Sequence, residues 1–146
     1  MRTIAVFLSL WIPLAMKAVT ACELDEAIFR GHSYNCLYEV VVRFKPMPSS
    51  RVFPKASKYW SVIDSLDVVV NGRKLKVPKK ALNLFTPHTP EPPYLGPDGM
   101  LYFKIRGGSA SKSYEAVYVF SQTRLIRREW RSLFHRDEES EIITKY

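Results

Sequence analysis

Alternation of hydrophobic and polar positions is clearest in LDVVVNGRKLKV, residues 66–77. Asn71-Gly72 is the favoured pair for a two-residue type I′ turn, because both positions need φ > 0. Such a turn pairs Val70 with Arg73, Val68 with Leu75 and Leu66 with Val77. Side chains alternate across a strand, so these valines and leucines share one face. Asp67 is expected to face Lys76 on the other face, as a favourable cross-strand charge pair. The pattern predicts a β-hairpin.

Further segments rich in β-branched and aromatic residues predict more strands. LYEVVVRF, residues 37–44, is one of them and is followed by Pro46 and Pro48. The C-terminal half contains four more, the last expected at a sheet edge: Met100–Arg106, Tyr114–Phe120, Leu125–Arg131 and Glu141–Tyr146. Short connections between successive strands favour antiparallel pairing. The predicted fold class is therefore mainly β, an antiparallel meander with the Asn-Gly hairpin, and α+β is the alternative.

One or two short helices are expected beside these strands, over residues 23–30 and over residues 78–85, where Pro78 suits the first helical position. TPHTPEPPYLGPDG, residues 86–99, holds five of the ten prolines and is predicted to be irregular. It is either a rigid surface excursion or a loop that contacts a partner. Two properties favour a contact loop: proline reduces the entropy lost on binding, and loops often carry function.

The N-terminus has the pattern of an export signal. MRT precedes the apolar run IAVFLSLWIPLAM, residues 4–16, and KAVTA follows it. As a helix this run spans roughly 20 Å, too short for a bilayer core of ~30 Å. Val19 and Ala21 suit the −3 and −1 positions of a cleavage site. Residues 1–21 are predicted to be a signal peptide and residues 22–146 a single domain, which places the protein in the periplasm or outside the cell. The alternative is a buried N-terminal helix, but Pro13 would break an interior turn of that helix.

Cleavage after Ala21 makes Cys22 the first mature residue. Val19-Thr20-Ala21-Cys22 resembles a bacterial lipobox, although that pattern prefers leucine at the position of Val19. The resemblance implies diacylglycerol on the Cys22 sulfur and an outer-membrane-anchored lipoprotein. The competing prediction is a disulfide between Cys22 and Cys36, as an oxidising compartment favours. It would close a 15-residue loop and contribute about 3 kcal/mol. A lipidated sulfur cannot pair, so the two exclude each other, and two unpaired thiols are a third possibility.

The formal net charge is +8, of which +2 belongs to Arg2 and Lys17 in the predicted signal. An exported protein meets little nucleic acid, so no nucleic-acid partner is expected. An anionic envelope component or an acidic protein surface suits the charge better, and a membrane is a partner only if Cys22 is lipidated. The basic residues fall in two clusters, Arg73, Lys74, Lys76, Lys79 and Lys80, and Arg124, Arg127, Arg128 and Arg131.

The chain contains no HExxH, CxxC or GxSxG pattern, and its three histidines are far apart. No catalytic residue, metal site or cofactor is therefore predicted, and an enzyme with an unrecognised site stays an alternative. The candidate binding residues are Arg73, Lys74, Lys76, Lys79, Lys80, Arg127, Arg128 and Tyr94. The alternative is that these basic residues bind no partner and form a solvated face that protects the sheet edges against aggregation.

We interpret the chain as a small exported binding protein, such as an immunity or inhibitor protein. It would dock on a toxin or hydrolase through a basic sheet face and the proline-rich loop. The alternative is an envelope accessory protein that contacts anionic lipid headgroups or cell-wall glycan.

Overall fold

The computed structural model describes residues 26–46, 61–83, 88–108, 113–134 and 141–146. Within these ranges the chain forms strands and one 3-10 turn, Lys79–Leu82. The strands are β1 Glu26–Ser33, β2 Cys36–Pro46, β3 Ser61–Val70, β4 Arg73–Leu75, β5 His88–Pro90, β6 Tyr94–Leu95, β7 Leu101–Gly107, β8 Tyr114–Phe120, β9 Leu125–Ser132 and β10 Glu141–Lys145. Every pairing between them is antiparallel. The predicted mainly β, antiparallel fold is confirmed.

The first sheet has the order β1-β2-β3-β4. Its β3–β4 hairpin has the predicted register, with Val68 opposite Leu75 and Val70 opposite Arg73. Asn71 and Gly72 have φ of 49° and 78°, as a type I′ turn requires. The ladder ends at Leu75, so Val77 does not pair with Leu66, although Val77 still packs against the core.

The predicted cross-strand pair of Asp67 with Lys76 is wrong. Because β4 ends at Leu75, Lys76 has no place in the ladder. Lys74, opposite Val69, reaches diagonally to Asp67 at 2.7 Å, and Arg43 of β2 binds the same carboxylate at 2.7 Å. These two hydrogen-bonded cations hold the pKa of Asp67 below its ordinary value.

The predicted helix over residues 23–30 is wrong in its described part, where β1 begins at Glu26. Exposure alternates along β1, with Ala27 and Phe29 packed against the core, and the Phe29 ring lies 5.8 Å from that of Phe103 in the other sheet. Pairing with β2 overrides helix propensity, which is a weak local preference. The predicted helical turn over residues 78–85 is confirmed in part, as the 3-10 turn Lys79–Leu82, and Pro78 precedes this turn as its extended N-cap instead of taking the first helical position.

The second sheet has the order β10-β9-β8-β7-β5, with β6 also paired to β7. The predicted meander of four strands is confirmed, and β10 lies at its edge. The prediction of an irregular segment over residues 86–99 is wrong in part, because β5 and β6 both belong to it. Proline is tolerated on edge strands, and Pro90 takes such a position opposite Ile105 of β7.

The two sheets pack face to face around one hydrophobic core. Its fully buried side chains come from both sheets and include Val40, Val42, Val68, Leu101, Phe103, Ile105, Tyr118 and Phe120. Tyr118 donates a 2.7 Å hydrogen bond to the Ala81 carbonyl of the 3-10 turn. Burial raises the pKa of this phenol, so Tyr118 stays a neutral donor. The bond ties the 3-10 turn to the core of the second sheet.

Candidate binding cleft at the turn end of the sandwich

Four turns meet at one end of the sandwich, which we call the turn end. They are Tyr34-Asn35, Asn71-Gly72, Gly96–Met100 and Ser121–Arg124. In the first sheet the Asn71 N–H donates to the Leu37 carbonyl, and the Leu37 N–H donates to Asn71 Oδ1, both at 2.8 Å. In the second sheet Leu101 stands opposite Phe120, so the other two turns are also neighbours. Turns on a rigid sandwich are frequent sites of recognition.

Tyr34 occupies an unusual position at this end. It begins the two-residue turn of the β1–β2 hairpin with φ of 50°, and the residue is fully exposed. A bulky L-residue in this region costs about 1–2 kcal/mol, and turns of this kind prefer glycine or asparagine there. The chain meets that preference in its other hairpin with Asn71-Gly72. The exposed ring of Tyr34 is therefore retained at a cost in stability, which is typical of functional positions.

The Gly96–Met100 turn is held by a compact set of hydrogen bonds. The Gly96 N–H donates to the Met100 carbonyl at 2.9 Å, and the Gly99 N–H, at φ of 73°, donates to the Gly96 carbonyl at 3.0 Å. Asp98 accepts from the Tyr102 hydroxyl at 2.6 Å and from the Met100 N–H at 3.1 Å. These bonds lower the pKa of Asp98 and raise that of Tyr102, so the turn is rigid while Asp98 is ionised.

Ser121 organises the fourth turn. Its Oγ accepts hydrogen bonds from the backbone N–H groups of Thr123 and Arg124, at 3.2 and 3.1 Å. The Ser121 N–H closes the turn by donating to the Arg124 carbonyl at 2.9 Å. A serine side chain that bonds the backbone two or three residues on is a recurrent turn element. Three backbone donors of this turn are thereby satisfied, while Gln122 stays exposed at the end of the sandwich.

A cleft of about 510 Å³ lies between three of these turns, all but Asn71-Gly72. Its lining is uncharged and comes from both sheets: Ser33, Tyr34, Asn35, Cys36, Leu95, Gly96, Pro97, Gly99 and Gln122. One wall is the end of the proline-rich segment, and the opposite wall is the β1–β2 turn. The cleft combines an aromatic ring, short polar side chains and accessible glycine backbone. This combination suits a surface that packs and hydrogen bonds with a partner.

Tyr38 joins the two walls. Its hydroxyl donates to the Pro93 carbonyl at 3.2 Å, and its ring lies over Gly31, where a Cβ would come within 2.4 Å of the hydroxyl oxygen. Glycine is therefore required at position 31 because the Tyr38 ring packs directly against its backbone, and not because the chain turns there. The contact holds the proline-rich segment of the second sheet against the first sheet.

Cys36 lines the cleft and is buried, and it forms no disulfide with another described residue. Burial raises its pKa, which keeps it protonated and a poor nucleophile. Cys22, Val19, Ala21 and the whole predicted signal lie outside the described residues. The Cys22–Cys36 disulfide and the lipid on Cys22 both stay predictions.

The structure distributes the predicted binding residues over several surfaces. Lys74 faces outward from the first sheet, whereas Arg127 faces outward from the second. Arg73, Lys76, Lys79 and Lys80 are exposed around the hairpin and the 3-10 turn, with Lys80 Nζ 5.4 Å from the Tyr146 ring centroid. No single basic face contains all of them.

Arg128 lies on the core side of β9, opposite Tyr118. Its Nη1 donates to the Ala81 carbonyl at 2.9 Å, and its Nε is buried without a hydrogen-bond partner among the described residues. Arg128 therefore secures the 3-10 turn and is separated from Arg127 by the alternation of side chains along the strand.

Tyr94 and Arg127 are brought together through Tyr102. The rings of Tyr94 and Tyr102 stack with centroids 5.1 Å apart. Arg127 forms an ion pair with Glu129 at 2.6 Å, and this bond, together with a weaker one to Tyr102, raises the pKa of Arg127. These residues flank the Asp98 turn on the outer face of the second sheet.

Glu115 is the buried charge of that outer face. Its carboxylate contacts Arg131 Nη2 at 2.9 Å, and Lys104 Nζ and Arg106 Nε at 3.3 Å each. Burial acts to raise the pKa of Glu115, but the three cations outweigh it and the pKa lies below its ordinary value. Glu91 binds Arg106 at 3.0 Å as well. Both carboxylates are paired, and the three cations leave one positive charge over, so the cluster stabilises the sheet.

Sequence reasoning missed Tyr34, Asn35 and Gln122. The signal that could have revealed them is the alternation of Ala27, Phe29 and Gly31, which indicates a strand. A strand there, followed by the strand that begins at Cys36, leaves Tyr34 and Asn35 as a two-residue turn. Assigning this stretch to a helix concealed the turn.

The described residues hold no group of three or more His, Cys, Asp or Glu side chains that could bind a metal. Among the same residues no helix is long and apolar enough to cross a membrane. Comparison with protein-family models, with curated proteins and with solved structures found no match to this chain.

Proposed function

We propose that this protein is a small exported binding protein that docks on a protein partner through its turn end. The observation that carries the proposal is Tyr34, a fully exposed aromatic residue held at positive φ on the rim of an uncharged cleft. Tyrosine provides a large contact area at a low entropic cost, and Ser, Gly and Asn provide adaptable hydrogen bonds. The four turns contain all of these residue types on a rigid β-sandwich.

The charge around the turn end favours an acidic partner. Arg73 follows the Asn71-Gly72 turn and Arg124 closes the fourth turn, and both are exposed. Within the part of the chain that the structure describes, neither guanidinium forms an ion pair. Asp98 is engaged by Tyr102. A partner with an apolar pocket and an acidic rim would accept Tyr34 and pair with the arginines, as in an inhibitor or immunity protein bound to a toxin or hydrolase.

Site-specific photo-crosslinking in the producing cell tests this proposal. A photoreactive amino acid at position 34 should form an adduct with one protein partner, identified by mass spectrometry. The matched control is the same amino acid at Lys45, which lies on β2 at the opposite end from the turn. The proposal fails if position 34 gives no adduct, or if positions 34 and 45 give the same products.

Export rests on the N-terminal pattern, and the intact mass of the protein purified from cells tests it. Loss of residues 1–21 supports cleavage. An added acyl mass would support the lipid on Cys22, and a deficit of two hydrogens would support the Cys22–Cys36 disulfide. Retention of residues 1–21 would contradict export by a cleaved signal.

Binding to anionic lipid headgroups or cell-wall glycan is the second candidate. Lys76 and Lys79 favour it, because both are exposed and neither forms an ion pair among the described residues. It predicts salt-sensitive binding to anionic vesicles. Binding unchanged by replacement of Lys74, Lys76, Lys79 and Lys80 with glutamine would exclude this candidate.

A further inference from the structure

The edge strand β10 leaves hydrophobic side chains exposed on both faces of the second sheet. Ile142 is 57% exposed and Ile143 is 54% exposed, and successive side chains of a strand point to opposite faces. Edge strands of this kind readily pair with another strand. This feature is separate from the turn end and independent of the proposed function.

The backbone hydrogen bonds show which residues face the open edge. The Tyr146 N–H donates to the Ile126 carbonyl of β9 at 3.0 Å. In an antiparallel ladder the residues that bond to a neighbour alternate, and the β9–β10 register is continuous. Thr144 and Ile142 therefore point their backbone groups toward β9. Glu141, Ile143 and Lys145 point theirs toward the open edge.

Three other edge strands in the described part of the chain, β1, β4 and β5, carry features that discourage pairing. β4 has three residues, of which Arg73 and Lys74 are charged. β5 ends in Pro90, which lacks an N–H donor. β1 carries Glu26, Arg30 and His32 on its outer face, beside the exposed Ile28. β10 has three uncharged residues at its centre, with its charges at its two ends.

We propose that β10 pairs with β10 of a second copy of this chain, antiparallel about a two-fold axis at Ile143. This register places Ile143 opposite itself, Ile142 opposite Thr144, and the acidic Glu141 opposite the basic Lys145. It is isologous, as two-fold interfaces must be. The residues that face the open edge become the hydrogen-bonded pairs, each exchanging two backbone bonds. Charge, hydrogen bonding and hydrophobic contact all fit this one register.

Sedimentation equilibrium of the purified protein over a range of concentrations tests the dimer. The wild type should show twice the monomer mass at high concentration. E141K or K145E should each weaken the dimer about 2- to 30-fold, because two symmetry-related charge pairs are lost. The double variant E141K/K145E restores complementary charges and should recover the wild-type affinity. A wild type that stays monomeric at every concentration overturns the proposal, as does a double variant no tighter than the single ones.

Cysteine cross-linking tests the register. I143C should form a disulfide-linked dimer under mild oxidation, because the residue meets itself across the axis at about 5.5 Å between Cα atoms. I142C is the matched control, since its own copy lies diagonally at about 7–8 Å on the other face. Circular dichroism confirms that both variants are folded. Equal cross-linking of the two, or cross-linking of I142C alone, would overturn the register.

Discussion

Gly31 and Tyr38 stand opposite each other in the β1–β2 hairpin, and the Tyr38 phenol occupies the space that a side chain at Gly31 would need. That placement lets the hydroxyl reach the Pro93 carbonyl of the other sheet. The close approach therefore couples the hairpin that presents Tyr34 to the proline-rich wall of the cleft.

G31A should destabilise the fold by about 0.5–1.5 kcal/mol, the value of one hydrogen bond, because its methyl group displaces the phenol from Pro93. Urea unfolding at neutral pH measures the change. Y38F is the matched control, since it removes the same hydrogen bond and keeps the ring. If G31A is as stable as the wild type, the close approach does not position Tyr38.

Y34G should stabilise the fold by about 0.5–1 kcal/mol. Relief of a left-handed φ, worth about 1–2 kcal/mol, outweighs the added chain entropy of glycine of about 0.5–1 kcal/mol. Y34A also removes the ring but keeps a Cβ, so it should not gain this stability. Thermal and urea unfolding of the wild type, Y34G and Y34A measure these differences in stability. A Y34G variant no more stable than Y34A would show that position 34 is unstrained.

E115Q should cost about 1.5–3 kcal/mol at neutral pH, since three hydrogen-bonded cations lose their charged partner. The folded pKa of Glu115 is lowered, so its contribution is present above the unfolded pKa of about 4.3. That contribution is lost as the pH falls through the lower folded value. Unfolding free energies between pH 7 and pH 2 should therefore decline less for E115Q than for the wild type.

E91Q is the control for this prediction. Glu91 contacts Lys104 and Arg106 but is one-third exposed, so solvent screening should make its loss cost less. An acid decline of E115Q equal to that of the wild type would contradict the role given to Glu115.

Y118F should cost about 0.5–1.5 kcal/mol. The loss is limited because the Ala81 carbonyl still accepts from Arg128. Y94F serves as the control, since Tyr94 is half-exposed and its change should stay within about 0.5 kcal/mol. Guanidinium unfolding compares the two variants. Equal effects would mean that the Tyr118 hydrogen bond does not stabilise the 3-10 turn.

Strands with a strong local pattern were predictable from the sequence. Tyr114–Phe120 forms β8 with the predicted bounds, and the Asn71-Gly72 turn sets the register of its hairpin. Local chemistry suffices there, because alternation and turn preference act within a few residues. The local pattern gave a wrong prediction for β1, because pairing with β2 overrides helix propensity. It failed also for Lys76, because the length of β4 decides which lysine reaches Asp67.

The candidate site was predictable only in part. The proline-rich segment was predicted to be either a rigid surface excursion or a contact loop, and residues 95–97 line the cleft. Tyr34 was missed, because its importance depends on a positive φ that appears only when β1 and β2 pair. Arg128 was grouped with Arg127, yet the pleat of β9 turns it toward the core.

The sequence by itself determined the mainly β fold class, the Asn-Gly hairpin and the meander, since these follow from periodicity and turn chemistry. Only the tertiary structure decided that the strands divide into two sheets and that four turns meet at one end. It also decided which cations are already paired and which edge stays open. Those features depend on residues distant in sequence, such as Tyr38 and Pro93, whose contact no local pattern encodes.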